Sequence, residues 1–405
     1  MTSPFCRHFG PCGGCDWQDV AYAEQLWRKE QRLTSLLDAS LGSRAPRVQP
    51  TRGTTGTGDP PRHFRHKAGF VFGETDDRQL ALGHFAADSR LIVPVAECPV
   101  HGSRANHIAF ALVEHLRRAH VTPAGPSLRG IARHLIVRTT RDEREAVAML
   151  VVTRNDKALR PPIRGFLATA DAPDGFYLNV HDAPGPYMVG RETMRLAGRS
   201  HVREHIRGAS YLISPAAFFQ TNVEAAAHLV DLVLETVQDR TGLTILELYA
   251  GSGLFSIPLA RAGHGVIAVE ENKQAIHDLE ANARLNKLPE GRLRALAMRV
   301  EDAFARVAQD RVDVVVLDPP RQGCPPSVIR TVFRKMRPAT VVYVSCNPDA
   351  LAAELVAIDD AGYEAVLVQP VDMFPHTTHI ETVVRLEARR PPRRQSSGRR
   401  PAVRT

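Results

Sequence analysis

No segment of this 405-residue sequence strings together the ~20 apolar residues that a bilayer-spanning helix needs, so none is expected. The opening stretch, MTSPFCRHFGPCGGCDW, lacks the apolar core of a secretory signal; the cytoplasm is the expected compartment. Cysteine is scarce: Cys6, Cys12, Cys15, Cys98, Cys324 and Cys346. A chain of this length in a reducing compartment does not need disulfide staples, so these thiols are read as metal-binding or catalytic. Internal repeats are lacking too. Hydrophobic residues at 43% and charged residues at 24% fit an ordinary globular protein, and the length implies two or three domains.

Charge is where the composition leans. Lys and Arg number 52 against 44 Asp and Glu, a net +8. Such a balance favours a polyanionic partner, nucleic acid first. Part of it sits in RRPPRRQSSGRRPAVRT, which starts at Arg389 and contains no acid. That stretch, residues 389–405, reads as a disordered basic tail or as an arm that grips RNA.

The rest of the chain divides by pattern. Residues 1–49 join three cysteines to a helix expected from Trp17 to Ala39, with Val20, Leu26, Leu33, Leu36 and Leu37 on one buried stripe. PTRGTTGTGDPP then reads as a linker or exposed loop. Residues 50–205 are strand-rich (HKAGFVFGE, QLALGHFA, RLIVPVAECPV, ARHLIVRTT, AVAMLVVTR, FYLNVH), with one helix near Ala105–His120. They suggest a compact α+β or mostly β central domain. YLISPAAFFQTN reads as a hinge, and a helix is expected from Val223 to Gln238. Across residues 206–388 strands alternate with helices: TILELYA, GVIAVEE, a weaker LRALAMRV, VDVVVLDPP, TVVYVSCNP, AVLVQPVDMF and ETVVRLEA. Alternation of this kind implies right-handed crossovers and a doubly wound, mostly parallel α/β sheet.

Chemistry-bearing residues stand at the strand ends, where open α/β sheets place their ligands. Glu247-Leu-Tyr-Ala-Gly-Ser-Gly253 closes the first alternating strand, and Gly251 and Gly253 allow a sharp turn with close ligand approach. The third glycine of a GxGxxG turn is missing, because Ser256 holds its place. The next strand ends at Glu270, whose carboxylate can accept both hydroxyls of a ribose. With no Walker lysine, these features favour S-adenosylmethionine over NAD or ATP. Asp318 ends VDVVVLDPP, where two prolines force a turn. Cys346 follows VVYVS and precedes Asn-Pro, which suggests a thiol exposed to a pocket with its pKa lowered by nearby helix N-termini. Cys324 reads as structural. Glu381, at the start of the last strand, is a candidate general base opposite Cys346. Cys6, Cys12 and Cys15, with Cys98 far downstream, offer four thiolates, suited to a 4Fe-4S cluster or to structural zinc.

CGGCDWQ, SPAAFFQTN, LELYAGSGLFS, LDPPRQG, VSCNP and DMFPHTTHIE, in this order, resemble signatures of the RNA 5-methyluridine (uracil-C5) methyltransferases, and the similarity runs from Cys6 to about Leu386. The resemblance implies a Rossmann-like class I methyltransferase domain and methyl transfer from S-adenosyl-L-methionine to C5 of a uridine. It implies Cys346 as nucleophile, Glu381 as proton acceptor, and Gln220, Tyr249, Glu270 and Asp318 as cofactor contacts. It further implies a 4Fe-4S cluster on Cys6, Cys12, Cys15 and Cys98, a mark of the branch that modifies 23S rRNA, and a role in rRNA processing; a monomer is expected. Leu254 departs from the asparagine many relatives carry, and the N-terminal β-barrel of one ribosomal subgroup has no counterpart here. A tRNA-directed enzyme and a non-catalytic iron–sulfur RNA-binding factor are the alternative readings.

Overall fold

The computed structural model describes residues 3–185 and 188–389; the basic tail lies outside the described residues beyond Arg389. Helix α1 (Tyr22–Leu41) comes first. A mostly antiparallel sheet follows, built from β1 (Lys67–Glu74), β2 (Leu80–Phe85), β3 (Ile92–Pro94), β4 (Ala132–Thr139), β5 (Ala146–Val152), β6 (Gly175–Val180) and β7 (Glu192–Gly198). Its order is β3-β2-β1-β4-β5-β6-β7. Only β5 and β6 run parallel among these pairs. A parallel pair needs a crossover, and α3 (Arg160–Leu167) supplies it, after α2 (Ser103–Arg118). Phe70, Phe72, Leu112, Leu116, Leu135, Leu150, Phe166 and Phe176 form the core between these helices and the sheet. Helix α3 is not evident from the sequence, since Pro161 and Pro162 look like breakers. They fall in its first turn, where the missing N–H groups have no intrahelical partner to lose.

A hairpin of β8 (Val202–Ile206) and β9 (Ala209–Ile213) and then α4 (Val223–Glu235) lead into the second sheet. This contains β10 (Thr244–Leu248), β11 (Gly265–Glu270), β12 (Leu293–Ala297), β13 (Val314–Leu317), β14 (Thr340–Ser345), β15 (Tyr363–Val371) and β16 (Glu381–Ala388). Its order is β12-β11-β10-β13-β14-β16-β15, parallel except for β16, which runs antiparallel between β14 and β15. The connecting helices are α5 (Ser256–Arg261), α6 (Lys273–Leu285), α7 (Val300–Arg306), α8 (Pro326–Arg330) and α9 (Pro348–Asp360). Val314, Val316, Val342 and Val344 pack under α4, α5 and the hairpin. Val315, Leu317, Val341 and Tyr343 pack under α8, α9 and α1 on the opposite face. Burial on both faces explains why these strands read as unbroken apolar runs. The fold is thus the expected doubly wound α/β sheet joined to a strand-rich α+β unit.

Helix α1 belongs to the second sheet's layers although it opens the chain. Leu33 and Leu37 share a core with Leu351 and Leu355, and Arg32 pairs with Asp349 at 2.8 Å. Lys29 is buried and reaches the equally buried Asp372 at 2.5 Å. Val48 and Arg52 bridge to Val368 and Val371, covering the free edge of β15. Among the described residues no helix is long and apolar enough to cross a membrane.

Candidate active site

A cavity of about 880 Å³ opens at the carboxyl ends of the parallel strands. Strand order reverses there between β10 and β13, which is where such sheets leave a crevice for ligands. Gln220, Tyr249, Gly251, Glu270, Asp318, Cys346 and Glu381 all line it. Residues placed far apart in the sequence therefore meet in one space.

One half of the cavity is built by the turn after β10. Tyr249, Gly251 and Gly253 adopt left-handed backbone (φ 65°, 53° and 93°), a conformation glycine takes without strain. At Gly253 a Cβ would come within 3.2 Å of the Leu279 side chain, so the turn packs tightly on α6. The Gly251 N–H donates to Glu270 Oε2 at 3.0 Å, and the Asn272 N–H donates to Oε1 at 2.8 Å. Those two bonds fix the carboxylate and leave lone pairs for a diol. Ser256, at the third-glycine position, donates to buried Glu247, whose carboxyl burial pushes up to about 8. Cys324 lines the same cavity, and burial pushes its thiol up to about 12. Gln220 arrives on the loop after β9, which the first sheet holds: the His66 N–H donates to the Thr221 carbonyl at 2.7 Å, and Arg138 donates to that of Ala217 at 2.7 Å.

The other half is set by the ends of β13, β14 and β16. Asn347 caps α9 by accepting from the Asp349 and Ala350 N–H groups, with Pro348 in the first helical turn. Its amide also donates to the Arg321 carbonyl at 2.9 Å, tying the tip of β14 to that of β13. In the antiparallel register Ser345 pairs with Thr382. The next residue outward on each strand is Cys346 and Glu381, so thiol and carboxylate are cross-strand neighbours.

The electrostatics correct one expectation. The Cys346 thiol is not lowered by the helix N-terminus; burial pushes it up to about 11, and Glu381 and Asp318 add to the shift. Burial pushes Glu381 up to about 8, with Asp318 reinforcing it, and Asp318 up to about 7. Arg321 pulls both Cys346 and Glu381 downward. Desolvation, with the crowded carboxylates adding to it, outweighs the helix dipole, whose influence is worth only ~0.3–1 kcal/mol at an exposed terminus. Peptide-resolved iodoacetamide labelling of the substrate-free protein is therefore expected to be slow at Cys346 at pH 7. It should rise roughly tenfold per pH unit up to about 11.

Sequence reasoning gave no role to Arg321 or His379, although LDPPRQG and DMFPHTTHIE contain them. Both line the cavity, with their side chains 3.4 Å apart. Phe218 lines it too and is 77% exposed, a large aromatic at the cavity's rim.

The metal candidates gather at the other sheet. The Cys6–Cys15 loop bridges Ala86, and the Gly13 N–H donates to the Phe85 carbonyl at 3.0 Å. A Cβ on Gly13 would sit 2.7 Å from the Ala87 nitrogen, so only glycine fits there. Burial pushes Cys15 up to about 11, and negative charge on Cys12 and Cys6 raises it further. Cys98 goes up to about 12 for the same reasons, with Cys15 and Cys12 as its neighbours. The four thiols thus share one electrostatic neighbourhood. Cys98 also has neighbours the sequence did not flag: ligand atoms of His84, Cys98 and His101 lie within 4.8 Å of one another.

Comparison with known proteins fits this geometry. A family profile described as tRNA (Uracil-5-)-methyltransferase matches residues 192–389. An uncharacterized RNA methyltransferase of Gloeobacter violaceus is 34% identical over 386 residues, 93% of this chain and 80% of the relative. The chain belongs to the RNA uracil-5-methyltransferase family. An uncharacterized RNA methyltransferase of Halalkalibacterium halodurans is 32% identical, with 94% of this chain and 82% of that protein aligned. Among solved structures, the tRNA (uracil-54, C5)-methyltransferase of Pyrococcus abyssi in complex with S-adenosyl-L-homocysteine superposes with a TM-score of 0.74. The identity is 26%, over 93% of this chain and 86% of that one. As an RNA uracil-5-methyltransferase the protein is an enzyme that depends on S-adenosyl-L-methionine, and the fixed carboxylate of Glu270 beside the glycine turn suits that cofactor's ribose.

Proposed function

We propose that this enzyme methylates C5 of a uridine in 23S rRNA, acting as a monomer through a covalent bond between Cys346 and C6 of the base. The observation that carries the reading is the pairing of β14 with β16, which sets Cys346 and Glu381 side by side in one cavity. Uracil C5 is a weak nucleophile. Cys346 gives up its proton to solvent and attacks C6 as the thiolate, which shifts the ring electrons into an enolate and makes C5 reactive. S-adenosyl-L-methionine, held by Gln220, Tyr249, Gly251, Glu270 and Asp318, supplies the methyl group. Glu381 then takes the proton from C5; the released electron pair re-forms the C5–C6 double bond and expels the Cys346 thiolate. To meet both residues the base leaves its stack. The antiparallel sheet and the cysteine loop hold the surrounding RNA, an unstacked loop being the usual target of specific recognition.

We assign Cys6, Cys12, Cys15 and Cys98 to a 4Fe-4S cluster, supported by their common neighbourhood and soft donor set. A zinc ion on Cys98, His84 and His101 is the second reading, favoured by the proximity of those three ligand atoms. Protein purified without oxygen is expected to be brown and to contain iron; colourless protein with one zinc per chain would support the second reading. A tRNA substrate is the corresponding alternative to rRNA, favoured by the likeness to the Pyrococcus abyssi enzyme. Nucleoside mapping of RNA from cells lacking this protein decides between them. One 5-methyluridine should vanish from 23S rRNA while tRNA stays unchanged; the opposite result identifies tRNA.

A further inference from the structure

The loop between β15 and β16 ends at Glu381, and its midpoint, His376, is completely buried with a left-handed φ of 65°. Every polar group of His376 is engaged. Its N–H donates to Gln25 Oε1 at 2.8 Å, and its carbonyl accepts from the Asp16 N–H at 2.8 Å and the Trp17 N–H at 3.0 Å. Its Nε2 lies 2.8 Å from the Pro61 carbonyl, so Nε2 carries the proton. Its Nδ1 is then the acceptor for the Gln25 amide, 3.2 Å away. That amide shares its two protons among this nitrogen and the carbonyls of Trp17 at 2.8 Å and Val20 at 2.9 Å. Two residues further on, the Thr378 N–H donates to Asp16 Oδ2 at 3.2 Å.

Neither Gln25 nor Asp16 is among the residues lining the cavity. Gln25 is fully buried, whereas Asp16 is exposed and directly follows Cys15. We infer that Gln25 and Asp16 are positioning residues for Glu381: they clamp the 372–380 loop through His376 and Thr378 and so fix where the carboxylate meets the C5 proton. This rests on the assignment of Glu381 as proton acceptor. The loop is held in an unusual backbone state by side chains from the start of the chain, and its own internal bonds are few: the Thr377 N–H and Oγ1 both reach the Phe374 carbonyl, at 3.3 and 2.8 Å, and the His379 N–H donates to Thr377 Oγ1 at 3.3 Å. Small misplacements at a reacting centre are costly, up to roughly 100-fold per ångström.

The test uses Asp16→Ala and Gln25→Leu in the full-length, metal-loaded protein, with Asp16→Asn as the conservative control that keeps an acceptor oxygen. Both disruptive variants are expected to lower kcat by roughly 10–100-fold with KM for S-adenosyl-L-methionine unchanged. A mispositioned base slows elimination after methyl transfer, so a covalent protein–RNA adduct should build up on ordinary uridine. Asp16→Asn should turn over nearly normally and show no adduct. A kcat loss without adduct, or a matching rise in KM, would overturn the inference. If Gln25→Leu does not fold, the exposed Asp16 site still gives the answer. Glu381→Gln run alongside separates the two levels. If it traps adduct and the clamp variants do not, only the clamp fails; if it traps none, the base assignment itself fails.

Discussion

Cys346→Ala is expected to abolish methyl transfer, with a loss of at least ~10⁴-fold set by removal of the nucleophile. RNA bearing 5-fluorouridine provides the direct readout. With S-adenosyl-L-methionine present, the native protein should form a stable adduct, because fluorine at C5 cannot leave as a proton. The alanine variant should form none. Its fold should be intact, since Cys346 follows the last residue of β14 and contributes no ladder bond to the sheet interior. Methylation or crosslinking that survives the substitution would remove Cys346 from the reaction and with it the covalent route.

Glu381→Gln has the second large effect and two independent signatures. Its kcat should fall by roughly 10²–10⁴-fold, with adduct accumulating on unmodified uridine because the C5 proton stays in place. The native enzyme's elimination step needs Glu381 ionised. Burial and Asp318 push that carboxyl up to about 8, so the single-turnover rate of elimination from preformed adduct should climb with pH and level off above about 8, and the glutamine variant should lose that limb. Stability carries the opposite sign. A carboxyl whose pKa is raised on folding binds a proton that the unfolded chain has already released. Its stabilising contribution is complete below pH ~4.3 and is lost as pH rises through about 8. The glutamine variant should therefore melt a few degrees above the native protein at pH 9, roughly 2–4 °C per kcal/mol. That advantage should shrink toward pH 5. Equal melting temperatures at both pH values would mean the carboxylate is not strained in the site.

Strand ends were the legible part of this chain. VVYVS followed by Asn-Pro locates Cys346 at the tip of β14, because Asn347 can cap and Pro348 can open a helix but neither continues a strand. LDPP places Asp318 in the same way. β7 escaped notice because its residues are mostly exposed and show no apolar alternation, so edge pairing with β6 is the only thing that defines it. The hinge read into YLISPAAFFQTN is a strand end plus a loop, pinned by Arg138 and His66 from a sheet whose approach no local pattern records. The protonated thiol was misjudged for a similar reason. A helix N-terminus is visible in Asn-Pro, but the burial that overrules it, and the carboxylates of residues 381 and 318 that add to it, come only with the folded sheet.

Helix α1 is made long before its partners Leu351, Leu355 and Asp372, Lys29 and Asp372 being 343 residues apart. At ~5–20 residues per second the ribosome needs roughly 15–60 s to deliver them. Throughout that interval Leu33 and Leu37 have no native surface to cover them, and the ammonium of Lys29 has no counter-charge. The antiparallel sheet can close before those partners are made; the catalytic half cannot. Nascent-chain proteolysis should accordingly show the two halves acquiring protection at separate times, the second after the first.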